Sequence, residues 1–309
     1  MAEPEAPVAA PVADTRCGYI AILGAPNAGK STLLNQFAGS KVAIVTPKVQ
    51  TTRTRIQAIA IEGASQLIFI DTPGIFEPKR RLERAMVAAA WSGAGDADAV
   101  LLLVDAGRGI DADARRIIDG LKAAGRPAIL VLNKVDTVHR PALLELAAKL
   151  NALLPFTETF MISALTGDGT ADLRRRLALL VPPGPWLYPA DQLTDITERM
   201  LAAEVTREKL FLRLHDELPY NSTVETEAWK DLKDGSVRIE QVIFVAKDSQ
   251  KPIVLGKGGH TIKAIGAEAR KELEQVLDRK VHLFLFVKVR ERWLDDPERY
   301  REMGLDFPK

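Results

Sequence analysis

The sequence predicts two domains of different class: an α/β unit with a mostly parallel sheet covered by helices on both faces, then a smaller α+β unit. Three observations support this. A glycine-rich turn, Gly24-Ala25-Pro26-Asn27-Ala28-Gly29-Lys30-Ser31, joins an apolar strand, Tyr19 to Leu23, to a helix running from Ser31 to Phe37. Strand-like and amphipathic runs then alternate to about Val181. Pro182-Pro183-Gly184-Pro185 ends that alternation, and beyond it the strands are grouped.

Residues 1–16, rich in Ala, Pro and acid, lack the basic start and continuous apolar centre of a signal peptide and read as a disordered tail. The first domain spans 17–181. Arg53 to Ile61 alternates, with Ile56, Ala58 and Ala60 on one face. Glu62-Gly63-Ala64 then leads into the next strand, which predicts an antiparallel hairpin at the sheet edge. Ile68 to Ile70, Val100 to Val104, Ile129 to Leu132 and Phe160 to Ile162 read as strands buried on both faces. Arg115 to Leu121, Leu143 to Leu150 and Leu173 to Leu180 read as the intervening helices. Residues 182–192 form the expected linker. From 193 to 309 the order is a helix from Thr194 to Leu214, strands at Ser222 to Lys233 and Val237 to Lys247 joined by the turn Lys233-Asp234-Gly235-Ser236, a helix from His260 to Leu277 and a strand from Val281 to Val289.

A chain of 309 residues suits about two domains, and 47% hydrophobic residues suffice for a sizeable core. A net charge of +1 excludes steering by the field of the whole molecule, so any nucleic-acid surface must be local. The one cysteine, Cys17, excludes an intrachain disulfide, fits a reducing cytoplasm and reads as a small buried apolar residue. No apolar run approaches the roughly 18 residues of a membrane span.

Gly24 to Ser31 fits G-x-x-x-x-G-K-S/T in its proper strand–helix context, which assigns it to a nucleoside triphosphate. The loop of Gly24, Ala25, Pro26, Asn27, Ala28 and Gly29 curls so that its backbone N–H groups point at phosphate oxygens. Lys30 reaches the β- and γ-phosphates, and the helix start at Ser31 and Thr32 adds partial positive charge. Ser31 offers a hydroxyl to Mg²⁺. Asn133-Lys134-Val135-Asp136 makes the base guanine: the Asp136 carboxylate accepts from N1–H and the exocyclic amine, whereas adenine leaves it unpaired. Asn133 would brace the loops and the Lys134 stem would lie over the ring. Ser163-Ala164-Leu165 could give a backbone N–H to guanine O6.

Asp71-Thr72-Pro73-Gly74 closes a strand. Asp71 is placed to hold Mg²⁺, and Gly74 can approach the γ-phosphate, although the same four residues also make an ordinary turn. Thr46-Pro47-Lys48-Val49-Gln50-Thr51-Thr52-Arg53 is polar and aperiodic. A Thr here, Thr52 ahead of Thr51, would ligate Mg²⁺ only when the γ-phosphate is present. The four motifs in this order resemble translation-factor-like GTPases over about the first 180 residues. In many of these a Gln follows Asp-x-x-Gly, but Ile75 stands here and cannot orient water. Related GTPases with an apolar residue there and an Asn in the phosphate loop often use K⁺. Asn27 is therefore either a K⁺-linked catalytic residue or a loop stabiliser. Asn27, Lys30, Thr52 and Gly74 are the residues expected to act on the reaction. Arg80, Arg81 and Arg84 lie in what reads as a flexible segment, with no arginine finger assignable.

Gly256-Lys257-Gly258-Gly259 lies between an apolar segment and an amphipathic helix, an arrangement that resembles a KH domain (type II-like) and implies a clamp on about four nucleotides of single-stranded RNA. Lys257, Lys263 and Arg270 would add phosphate contacts over an apolar floor of Ile253, Val254 and Ile262. Trp293 and Tyr300 read as domain-packing residues. A P-loop GTPase domain followed by one KH domain resembles the Era family of bacterial GTPases, a resemblance also carried by Gln50-Thr51-Thr52-Arg53 and by Ile265 to Arg270. The resemblance implies GTP hydrolysis that is intrinsically slow, Mg²⁺ as cofactor with K⁺ as an optional activator, and binding near the 3′ end of small-subunit ribosomal RNA during assembly of the small ribosomal subunit. It also implies a cytoplasmic monomer exchanging GTP and GDP. A membrane-peripheral switch at the inner face of the cell membrane, whose second domain grips protein or lipid, is the alternative.

Overall fold

The apolar runs of the first half assemble into one six-stranded sheet and those of the second half into a three-stranded sheet. These come from a computed structural model that describes residues 14–49, 51–53, 56–291, 293 and 296–308. Most of the expected tail, and Gln50, lie outside the described residues. Arg16, expected in the tail, already belongs to a strand.

The first sheet comprises β1 (Arg16–Gly24), β2 (Ile56–Glu62), β3 (Ser65–Asp71), β4 (Ala99–Asp105), β5 (Ile129–Asn133) and β6 (Thr159–Met161). Its spatial order is β2-β3-β1-β4-β5-β6; all neighbours are parallel except the β2–β3 hairpin. Alternation along β1 sends Ile20 and Ile22 to one face and Ala21 and Leu23 to the other, all with 0% exposure. The first face is covered by α1 (Lys30–Ala38) and α5 (Thr170–Leu180). The second is covered by α2 (Arg81–Asp96), α3 (Ala112–Ala123) and α4 (Arg140–Leu153). The register sets Ile22 beside Asp71, Gly24 beside Leu103 and Asp105 beside Asn133. The carboxyl ends of these strands therefore meet at one rim, where chain order reverses around β1 and ligands of open α/β sheets bind.

Two expectations are corrected here. The flexible segment after Gly74 is largely helix α2, whose N-terminus is fixed by Glu83 Oε2 accepting from the Lys79 and Arg80 amides at 2.7 and 3.0 Å. An Ala- and Gly-rich run hides its periodicity in sequence, because its buried face uses Ala85, Ala90, Gly93 and Ala94. β6 is an edge strand with Thr159 exposed, so it is not buried on both faces.

The second unit contains α6 (Glu198–Arg213), β7 (Ser222–Asp231), β8 (Val237–Val245), α7 (Lys251–Leu255), α8 (His260–Val276), β9 (Val281–Val289) and α9 (Pro297–Glu302). β7 and β8 are antiparallel, and β9 returns parallel to β8 through the α7–α8 crossover. The first of these helices starts later than expected, since Thr194 forms a β-bridge with Ala58 and both Thr194 and Asp195 bond Gln57 of β2. Residues expected as linker also run along the first sheet: the Leu187 and Tyr188 amides donate to Gln66 Oε1 at 2.8 and 3.0 Å. Among the described residues no helix is long and apolar enough to cross a membrane.

Tyr300 and Leu305 pack on Leu82, Ala85 and Met86 of α2, so the C-terminal segment of the second unit is fastened to the first. Tyr300 is 1% exposed. Replacing Tyr300 with Ala should lower the thermal midpoint by about 5–10 °C through the cavity left behind, as measured by scanning calorimetry. An unchanged midpoint would show that this contact carries no stability.

Candidate GTP and RNA sites

Gly29 caps α1 with φ +99°, and a Cβ there would lie 2.2 Å from Asn133 Nδ2, so neither the backbone angle nor the space admits another residue. The chain then enters the helix with Lys30 turned inward, its Nζ donating to the Gly24 and Ala25 carbonyls at 3.0 Å each. Burial lowers the Lys30 ammonium to about 8, against the opposing pull of Asp71. Asn27, Gly29, Lys30, Ser31 and Thr32 line a cleft together with Pro26. Its far wall is Ile44 to Lys48, Thr51, Thr52, Gly74 and Lys134, of which Ile44, Val45 and Thr46-Pro47-Lys48 were not singled out as site residues from the sequence. Ala25 and Ala28 are buried behind the loop.

The three side chains expected at Mg²⁺ converge. Ser31 Oγ and Thr52 Oγ1 are 3.0 Å apart, and each donates to Asp71 Oδ2 at 3.1 Å. Thr51 instead bonds within its own loop, to Thr46 Oγ1 at 2.7 Å and the Lys48 carbonyl at 2.8 Å. Burial raises the Asp71 carboxyl to about 6, opposed by Lys30 and by the hydroxyls of Thr52 and Ser31. Asp71 Oδ1 is buried with no hydrogen-bond partner among the described residues. An acceptor left in that state costs about 1–3 kcal/mol. Two hydroxyls and a carboxylate suit a hard cation that keeps waters and phosphate oxygens as its other ligands, so these residues fit Mg²⁺.

The other motifs divide. Asn133 Nδ2 donates to the Ala28 carbonyl at 2.8 Å and its Oδ1 accepts from the Ala164 amide at 2.9 Å, tying the phosphate loop to the last loop of the sheet. Lys134 Nζ bonds the Asn27 carbonyl at 2.8 Å and Asp105 Oδ2 at 2.7 Å. Asp136 is exposed on the turn Val135–Thr137, as a base-reading carboxylate requires. Two expectations change. Thr72 Oγ1 donates to the Ile22 carbonyl at 2.7 Å, which ties two strands and turns it from the cleft, with Pro73 also buried. The Ser163 amide bonds the Asp168 carbonyl at 3.0 Å and the Ala164 amide bonds Asn133 Oδ1, so of the three amides expected near O6 these two are engaged within the protein. Leu165 is exposed beside them. Ile75 is wholly buried in the core, facing away from the cleft. Asp105 and Arg108, which bonds the Pro26 carbonyl at 3.0 Å, were missed; their place at the end of β4 and just beyond it, on the sheet rim, was the available signal.

The second loop lies between α7 and α8. Gly256 has φ +72° and ψ 169°, and a Cβ there would lie 2.2 Å from Thr261 Oγ1. Lys257, Lys263 and Arg270 are exposed and in no ion pair among the described residues. Ile253 is 58% exposed beside them, and Ile262 is half-buried. Val254 corrects the expected floor. The apolar run before the loop is a helix, so Val254 points inward with 0% exposure against Ile265 and Val287.

Residues 19–134 match a family model described as 50S ribosome-binding GTPase, and residues 217–294 match one described as KH domain. GTPase Era of Rhizobium meliloti is 61% identical over 309 residues, covering 100% of this chain and 99% of that one. The chain belongs to the Era family of GTPases. The Brucella suis member is 62% identical over 294 residues, 95% of this chain and 94% of that one. A point variant of Aquifex aeolicus Era bound to GDP·AlF4⁻ superposes with a TM-score of 0.88 at 38% identity, covering 94% of this chain and 99% of that one. A structure of Era in complex with MgGDPNP and nucleotides 1506–1542 of 16S ribosomal RNA matches with the same score, identity and coverage.

In this member of the Era family the loop that carries Thr52 is also the seat of the KH domain. Arg53, 2% exposed, donates to the carbonyls of Ser222 at 2.8 Å and of Pro219 and Tyr220 at 3.2 Å. Lys48 Nζ bonds the Phe211 carbonyl at 2.5 Å and also that of Leu214, and Arg207 bonds the Thr51 carbonyl. Glu208 accepts from Lys41 at 2.7 Å and from the Val45 amide at 2.8 Å. Burial pushes the Glu208 carboxyl up, but Lys209, Lys41 and that amide together hold it below its ordinary range. Arg80, just before α2, pairs with Glu217 at 2.6 Å. Thr52→Ala should weaken binding of Mg²⁺–GTP analogue about tenfold or more while GDP binding changes little, and Thr51→Ala should leave both near the parent values. Equal losses in the two variants, read by fluorescent-nucleotide titration, would return the choice between the threonines to open.

Proposed function

We propose that this chain is a GTP-driven switch whose KH domain binds the 3′ end of small-subunit ribosomal RNA in the cytoplasm and assists assembly of the small ribosomal subunit. The observation that supports it best is the junction at residues 52 and 53. Thr52 belongs to the Mg²⁺ set, and the next residue is buried under the KH domain. The 16S nucleotides held by the structurally similar Era, together with the exposed basic residues around Gly256 to Gly259, support RNA as the partner.

Lys30 and the amides of the Gly24 to Ser31 loop hold the phosphates, and Asp136 holds guanine. Ser31, Thr52 and Asp71 would hold Mg²⁺, which supplies positive charge against the phosphate oxygens when bound. Gly74 lies against Pro26 of the phosphate loop, where a Cβ would come to 3.0 Å, and this closeness supports its amide as the γ-phosphate contact. With Ile75 buried in the core, no side chain after Gly74 orients water, and slow turnover follows. Hydrolysis withdraws the partner of Thr52, which loosens Arg53 and with it the KH domain.

RNA spanning the 3′ end should bind about tenfold tighter to the GDPNP form than to the GDP form, and Arg53→Ala should reduce that ratio to within about twofold. Changing Gly258 and Gly259 together to Asp should abolish binding in both forms. Equal affinity in the GDP and GDPNP forms of the parent, measured by fluorescence anisotropy, would refute the coupling.

We further propose that K⁺ near Asn27 replaces the missing catalytic charge. Asn27 holds φ +64° and its Nδ2 donates to the Pro47 carbonyl at 2.8 Å, so it joins the phosphate loop to the switch segment while its Oδ1 stays available to a cation. Turnover in KCl should exceed that in NaCl by about tenfold at equal ionic strength, and Asn27→Ala should remove the difference. Identical rates in the two salts would dispose of the cation.

A further inference from the structure

A second cavity, of about 400 Å³, lies between the two domains and away from the GTP cleft. Its charged lining is Arg53, Arg199, Arg207 and Arg299 against Glu204 and Glu225. The two deepest arginines, Arg53 and Arg207, are each 2% exposed and stand over one ring, 5.3 and 5.1 Å from the centroid of Phe211. Among the described residues only one carboxylate, Glu204, bonds this pair, on the Arg207 side at 2.7 Å. Arg53 is bonded to carbonyl oxygens alone among the described residues. Arg53 Nε and Arg207 Nη1 are buried with no hydrogen-bond partner among those residues. Burial and then the neighbouring Arg207 lower the Arg53 guanidinium to about 9, the behaviour of two cations sharing too little negative charge. Arg199 stands exposed at the mouth, its Nη2 resting on the Thr226 carbonyl at 2.9 Å. Ile56, Ile196, Val224 and Met303 supply an apolar wall.

Like charges buried side by side repel, and an anion bound between them offsets that repulsion. Guanidinium forks bind phosphate and carboxylate in the same planar, bidentate way, and a cavity of this volume admits a small molecule. Its walls are α6, β7, the C-terminal segment, Arg53 and Ile56, and its volume suits a small molecule. We propose that this cavity is a binding site for a small phosphate- or carboxylate-bearing molecule. Its occupant would touch Arg53, one peptide from Thr52, so it would strengthen GTP-analogue binding by the same factor that the analogue strengthens the occupant.

The test is isothermal titration of the full chain saturated with Mg²⁺–GDP, which keeps the phosphate loop filled, using inorganic phosphate in one arm and succinate in the other. One site per chain, below about 1 mM for at least one anion, is expected. Arg199→Ala should weaken that binding about tenfold or more by removing a charge-assisted contact, and Met200→Trp should abolish it by filling the cavity. Both variants should keep the parent GDP affinity and thermal midpoint, since neither residue contacts the nucleotide cleft. Which arm binds decides between phosphate and carboxylate. No saturable binding of either anion, or binding that Met200→Trp leaves unchanged, would overturn the site.

Discussion

The structure turns on a buried cation, the guanidinium of Arg53. Three carbonyl oxygens from the Pro219 to Ser222 turn receive it, and the rings of Phe211 and Trp293 lie within 6 Å of it. A charge this deeply buried tolerates few geometries, because each lost hydrogen bond leaves a desolvated N–H in the interior. The backbone around residue 53 is therefore held by the KH domain, while the hydroxyl of residue 52 is held by Ser31 and Asp71. The peptide that joins them has little freedom to serve one side without moving the other.

The nucleotide side rests on the opposite case, a buried pair of unlike charge. Lys30 and Asp71 sit under the phosphate loop, each pushed toward its neutral form by burial and each held back by the other. Such a pair is poised to gain from the phosphates and the divalent cation, which restore the ionic surroundings that burial removed. The cleft is preorganised by bonds that do not touch the ligand. Asn133 fastens the phosphate loop to the last loop of the sheet, and Arg108 and Lys134 hold its carbonyls from the flank.

Much of this was legible in the chain. Strands β1, β3, β4 and β5 announce themselves as short apolar runs, since strands covered on both faces need nothing else. Helix α2 escaped because its buried face is built from Ala and Gly, which carry little contrast with solvent-facing residues. Val254 was misplaced because an apolar run of a few residues does not say whether it is strand or helix, and a helix buries only one side of it. Ser163 and Ala164 sit where their motif should be, yet their amides are consumed by Asp168 and Asn133, a choice made by the packing of two loops.

The sequence by itself determined the chemistry: a triphosphate loop with guanine specificity, no glutamine after Gly74, and a second glycine clamp preceding an amphipathic helix. These depend on residue type at short spacing, and local backbone rules enforce them. Only the tertiary structure decided how the halves communicate. Arg53 and Arg207, far apart in the chain, share one ring and one cavity wall; Lys41 meets Glu208; Tyr300 meets Met86. Contacts between residues more than a hundred positions apart leave no periodic trace, because the energy that selects them comes from burying surfaces that exist only after both domains have folded.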